Sequence, residues 1–146
     1  MNRHLIDIVI YRNIYFVELD QEPTLWSSDD PWLTMAIATA ITGARWKGHG
    51  ELDGDERQEI MNWLDDIQIP SRARNRIVEV RRRDRHTDFL VDNSVAFTIS
   101  DFDMRGSPNW WHKALKAIFS SAHLDHPTGF VEVDTNTGKR QRLPEF

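Results

Sequence analysis

At 146 residues, 40% of them hydrophobic, the chain has the length of one ordinary domain and enough apolar side chains to bury a core. A net charge of −5 argues against the whole chain coating nucleic acid or an anionic membrane, and zero cysteines exclude disulfides, thiolate zinc sites and cysteine nucleophiles. No apolar run reaches the roughly 20 residues that cross a bilayer, and the charged start around Arg3 and Asp7 does not resemble a secretory signal, so a cytoplasmic protein with no membrane partner is expected.

In chain order, residues 5–10 and 14–19 are β-branched and aromatic runs separated by Tyr11-Arg12-Asn13, which predicts a hairpin. A loop holding Pro23 and Ser27-Ser28 follows. Asp30-Pro31 then reads as a helix start, an acceptor at the cap followed by proline in the first turn. Apolar residues from Trp32 to Ala44 surround most of that helix, which is expected to run to about Trp46 and to be buried on more than one side. A second helix over 55–67 has the one-faced spacing Ile60, Trp63, Leu64, Ile67 and should lie on the surface.

Pro70 stops that helix, and 76–83 alternates as a strand, Val78 and Val80 on one face, Ile77 and Glu79 on the other. Asp84-Arg85-His86 and Asp92-Asn93 can turn into strands at 87–91 and 95–99, because Asx residues tolerate the positive φ of tight hairpins. Gly106-Ser107-Pro108 opens a third helix, with Ser107 as cap and Trp110, Trp111, Leu115 and Ile118 facing inward. A last hairpin joins 130–134 to 139–143. The fold class expected is α+β, a single domain over 1–146 with one antiparallel sheet and about three helices mainly on one face.

Charge is segregated along the chain. Glu51, Asp53, Asp55, Glu56, Glu59, Asp65 and Asp66 precede Arg72, Arg74, Arg76, Arg81, Arg82, Arg83 and Arg85. Two opposite fields on neighbouring elements either neutralise each other or present two faces that select charged partners. An arginine strand can grip phosphates if exposed, but it also protects a sheet edge from aggregation, and the acidic helix beside it could fold over it.

Catalytic signals are sparse. His123 and His126 with Glu132 resemble metal ligands, yet the histidines stand three apart at a helix end, where imidazoles also favour the dipole. Asp53-Gly54-Asp55-Glu56 lacks the later ligands of a calcium loop. Glu79-Val80-Arg81 with Asp88 or Asp101 faintly resembles the acid pattern of metal-dependent nucleases, with arginine in place of the usual lysine. Serine-nucleophile and phosphate-loop motifs are absent. The expectation is therefore a small non-catalytic protein-binding protein with no cofactor and no metal, of immunity or antitoxin-like inhibitor type. Its partner would be another protein such as a basic toxin or enzyme, met through Asp53, Asp55, Glu56, Glu59, Asp65, Asp66, Arg81, Arg82 and Arg83. The alternative is a nucleic-acid-binding protein or nuclease using the arginine strand.

Overall fold

The computed structural model describes residues 6–11, 14–41, 43–67, 75–108, 110–122 and 128–142. The fold is α+β. Its elements run β1 (Ile6–Tyr11), β2 (Ile14–Leu19), β3 (Glu22–Ser28), α1 (Pro31–Ile41), β4 (Arg45–Lys47), α2 (Gly54–Asp66), β5 (Ile77–Arg83), β6 (His86–Val91), β7 (Ser94–Ser100), α3 (Asp101–Gly106), α4 (Trp110–Ala122), β8 (Thr128–Val133) and β9 (Arg140–Arg142). They form two compact units, one carrying a sheet of order β3-β2-β1-β8-β9 and the other a sheet of order β4-β5-β6-β7.

The strands thus fall into two sheets rather than one, and neither is wholly antiparallel. β1 lies parallel to β8, and β4 parallel to β5. Strands joined by a tight turn announce themselves locally, whereas a parallel pair needs a long connection and leaves no local signal.

In the first unit β1 is covered on both faces, since Ile8, Val9 and Asp7 are all at most 2% exposed. The turn after β2 places Asp20 and Gln21 at φ 51° and 69°, the double positive φ of a type I′ hairpin, and so creates β3 where the sequence reads as loop. Pro23 is tolerated because β3 is an edge strand. Around the β8–β9 turn Asp134 accepts from the backbone N–H groups of Asn136 and Thr137, and Gly138 supplies φ 72°.

α1 begins as expected, with Asp30 Oδ1 accepting from the Trp32 N–H at 2.9 Å. Residues 34–41 are buried all round the helix. It ends earlier than the apolar run implies. Gly43, at φ 92°, returns its N–H to the Ala40 carbonyl, and the chain then extends so that Trp46 sits on β4.

In the second unit β4, α2 and β5 form a β–α–β unit. The register Val80↔Phe89↔Phe97 carries one apolar face of the sheet. Phe89, fully buried, has the rings of Trp46, Phe97 and Trp110 within 6.2 to 6.3 Å. Each such aromatic pair adds about 0.5–1.5 kcal/mol to simple burial. α4 packs on β6 and β7 with Trp111, Ala114, Leu115 and Ile118 at most 1% exposed. Asp92 and Asn93, at φ 49° and 71°, make the β6–β7 turn that Asx chemistry predicts. α3 is an additional short helix capped by Ser100, and the Trp110 N–H bonds the backbone carbonyl of Ser107.

Candidate interaction surface

α2 starts on a reciprocal cap: Asp53 Oδ1 accepts from the Glu56 N–H at 2.7 Å, and Glu56 Oε1 accepts from the Asp53 N–H at 3.2 Å. These two acids are occupied in holding the helix. Ile60 and Leu64 are buried, and Arg57 turns its Nη2 to the Gly43 carbonyl at 3.3 Å. On the opposite side the spacing of Asp55, Glu59, Asn62 and Asp66 is i, i+4, i+7, i+11. At about 100° per residue that spacing makes one row, about 16 Å long.

All four residues of the row are exposed. Among the described residues no cation pairs with Asp55, Glu59 or Asp66. Asp55 and Glu59 repel at i, i+4, which costs about 0.2–0.5 kcal/mol. Asp66 stands in a last turn that contains no base, opposed by the helix dipole. Asp55, in the first turn, is favoured by the dipole, so the expense to the helix falls on Glu59 and Asp66. Asp65 is also exposed but lies on another edge of the cylinder.

The arginine strand behaves differently. Arg81 pairs with Glu79, Arg82 makes two bonds of 2.6 and 2.5 Å to Asp101, and Arg83 reaches Asp88 at 3.1 and 3.3 Å. Their side chains remain 53%, 59% and 61% exposed, yet each guanidinium already has a carboxylate. Strand alternation sends Arg82 to the Phe89 face and Arg81 and Arg83 to the other. The neutralising acids come from the arginines' own sheet and its following helix, not from α2.

The pairing acts on the acids. Arg83, then the Thr98 hydroxyl, holds the Asp88 carboxyl below its usual range; Arg82 does so for Asp101; Arg76 and the Ile77 N–H do so for Asp92. Glu79, Asp88 and Asp101 do not converge, since Asp101 sits with Arg82 and Glu79 with Arg81. Among the described residues no group of three histidines or acids can hold one metal ion. His123 and His126 lie outside the described residues, and Glu132 is exposed on β8. Burial pushes His112 down to about 4.

The first unit holds charges that sequence reasoning missed. Asp7 and Glu18, opposite each other on β1 and β2, are 1% and 7% exposed. Arg142 bonds Asp7 at 2.7 and 2.9 Å, and Arg140 bonds Glu18 at 3.2 and 2.5 Å. A separation of 135 residues links Arg142 to Asp7, so no local pattern announces the pair. An open cleft of about 440 Å³ also lies beside the last hairpin, lined by Ile10, Glu132, Lys139 and Gln141 among others. None of its lining residues is fully buried, so it offers no desolvated group for chemistry.

No protein family, curated protein or solved structure matches the chain.

Proposed function

We propose that the chain is a non-catalytic protein-binding protein whose acidic row on α2 receives a basic protein, in the manner of an immunity or antitoxin-like inhibitor. The observation that carries this reading is the contrast between two charged elements. The arginines of β5 are each paired within their own unit, whereas Asp55, Glu59 and Asp66 stand exposed and uncompensated in one line. A charge that is already paired must surrender its partner before binding another, and one that is not is available at once. The second reading, nucleic-acid binding by Arg81, Arg82 and Arg83, requires phosphates to displace Glu79, Asp101 and Asp88 against the field of a chain of net charge −5.

The test begins with a photo-crosslinking residue at Asn62, in the middle of the row, to capture the partner in the source cells. Association is then timed with the purified partner. Changing Asp55, Glu59 and Asp66 to lysine leaves the Asp53–Glu56 cap intact and is expected to slow association about tenfold or more and to flatten its salt dependence. Unchanged association in the triple variant removes the row from the account.

A further inference from the structure

We infer that the outer edge of β8 receives an extended segment of a partner protein carrying two arginines two residues apart, and that β9 occupies this edge as the chain's own stand-in. Asp7 and Glu18 define what the edge demands. Both are buried acids on the same face of the first sheet, and each is bonded through both of its oxygens to a guanidinium from β9. The register sets Arg142 against Val131 and Arg140 against Val133, and these valines lie beside Val9 and Tyr11 of β1. Arg140 and Glu18 are therefore three strand spacings and four residues apart, about 19 Å in a flat sheet, farther than the two extended side chains reach. Their contact requires the sheet to curl toward this face. The carboxylates then lie inside a concave surface, and the arginines, 43% and 44% exposed, enter it from the rim.

The backbone contributes little to holding β9. The Asp134 N–H donates to the Lys139 carbonyl at 2.9 Å. Antiparallel bonding alternates, so Val133↔Arg140 and Val131↔Arg142 are non-hydrogen-bonded pairs, and within β9 only Gln141 exchanges backbone bonds with β8, at Glu132. All three β9 residues are exposed, and the sequence Arg-Gln-Arg has no apolar side chain to bury. The hold on β9 therefore resides in its two guanidiniums.

Those contacts also specify the occupant. A buried carboxylate stripped of its cation is costly, so whatever replaces β9 must bring two cations to the same two places. Each carboxylate is met through both oxygens, which the planar fork of arginine does and the point charge of lysine does not. The replacement is thus an extended segment with arginine at alternate positions, added to the sheet as a strand whose alternate side chains give the specificity. β8 continues past Glu132 to further outward-facing positions at Phe130 and Thr128, so such a segment can pair over more of β8 than β9 does among the described residues. The inference does not depend on the acidic row of α2.

The experiment uses the full chain and a fluorescent peptide with the sequence of residues 137–142, Thr-Gly-Lys-Arg-Gln-Arg. The resident β9 competes with it at a local concentration on the order of millimolar. Changing Arg140 and Arg142 together to glutamine removes that competition and should tighten peptide binding, read by anisotropy, about tenfold or more. A peptide with lysine in place of both arginines should bind this variant about tenfold or more weakly. Changing Asp55, Glu59 and Asp66 to lysine in the same variant should leave binding in place at physiological salt, which separates this edge from the α2 row. If the double variant fails to fold, Gln141→Pro decides, because it removes the one backbone donor of β9 to Glu132 and keeps both arginines. It should bind the arginine peptide more tightly than the native chain does. No binding by the folded variant, equal affinity for the arginine and lysine peptides, or binding lost with the α2 acids overturns the inference.

Discussion

Replacing Arg142 by methionine removes the cation from a carboxylate that is 1% exposed, while replacing Asp7 by asparagine leaves a guanidinium whose side chain is 44% exposed. The two halves of this ion pair are therefore unequal. Asp7 faces Glu18 in register, with Cβ atoms about 5 Å apart. Glu18 keeps Arg140, so the loss is that of a desolvated Asp7 carboxylate left without its cation, about 3–5 kcal/mol. Arg142→Met should cost about that much. Asp7→Asn removes the desolvated charge itself, so its cost is about 1 kcal/mol. The double variant should be more stable than Arg142→Met alone, because the stranded charge is gone. Urea unfolding of the four proteins, followed by tryptophan fluorescence at neutral pH with midpoints and slopes fitted together, measures this ordering. Equal losses in the two single variants, or a larger loss in Asp7→Asn, would refute the placement of Asp7 as the desolvated partner.

His112 is held neutral by burial with its pKa at about 4, below the 6.5 of an unfolded chain, so its contribution is full above pH 6.5 and is lost as pH falls through 4. At about 1.36 kcal/mol per pH unit the ceiling is about 3 kcal/mol, and partial solvent contact brings it to about 1–2 kcal/mol. Urea titrations at pH 7 and pH 5 should show a loss in the native chain that His112→Gln lacks; equal losses would contradict it. Changing Asp88 and Asp101 together to asparagine frees Arg83 and Arg82, and should steepen the salt dependence of DNA binding by about 1.8 in logarithmic slope. An unchanged slope in fluorescence anisotropy would show that these arginines are not restrained by their carboxylates. Gly48→Ala should destabilise the fold by about 2 kcal/mol or more, because φ is 102° and a Cβ there would lie 2.6 Å from the Val80 carbonyl oxygen. A stability within error of the native chain would disprove that close approach.

The α+β class was legible wherever chemistry is local. The one-faced spacing of Ile60, Trp63 and Leu64 predicts α2, Asp92-Asn93 predicts its hairpin, and the alternation over 76–83 predicts β5. Sequence reasoning failed where a tertiary partner decides. Gln21 adopts φ 69° in the turn that makes β3, although glutamine carries no turn signal. Ala44 and Trp46 extend an apolar helical pattern, yet Gly43 reverses the chain and Trp46 buries itself from a strand. α3 is six residues long, too short for a period to appear. Within the charged surface, the sequence could separate acids from arginines but not assign their partners. That Asp53 and Glu56 serve the helix cap while Asp55, Glu59 and Asp66 remain available follows from their positions around α2.

The most direct measurement of that availability places the same photo-crosslinking residue either at Asn62 or at Arg81, in two versions of the full chain expressed in the source cells. Adducts from each are digested separately with protease and with nuclease and then sized. A protease-sensitive adduct with one basic protein is expected at Asn62, lost when Asp55, Glu59 and Asp66 are changed to lysine, and no nuclease-sensitive adduct is expected at Arg81. A nuclease-sensitive adduct at Arg81 with none at Asn62 would contradict it and assign function to the arginine strand.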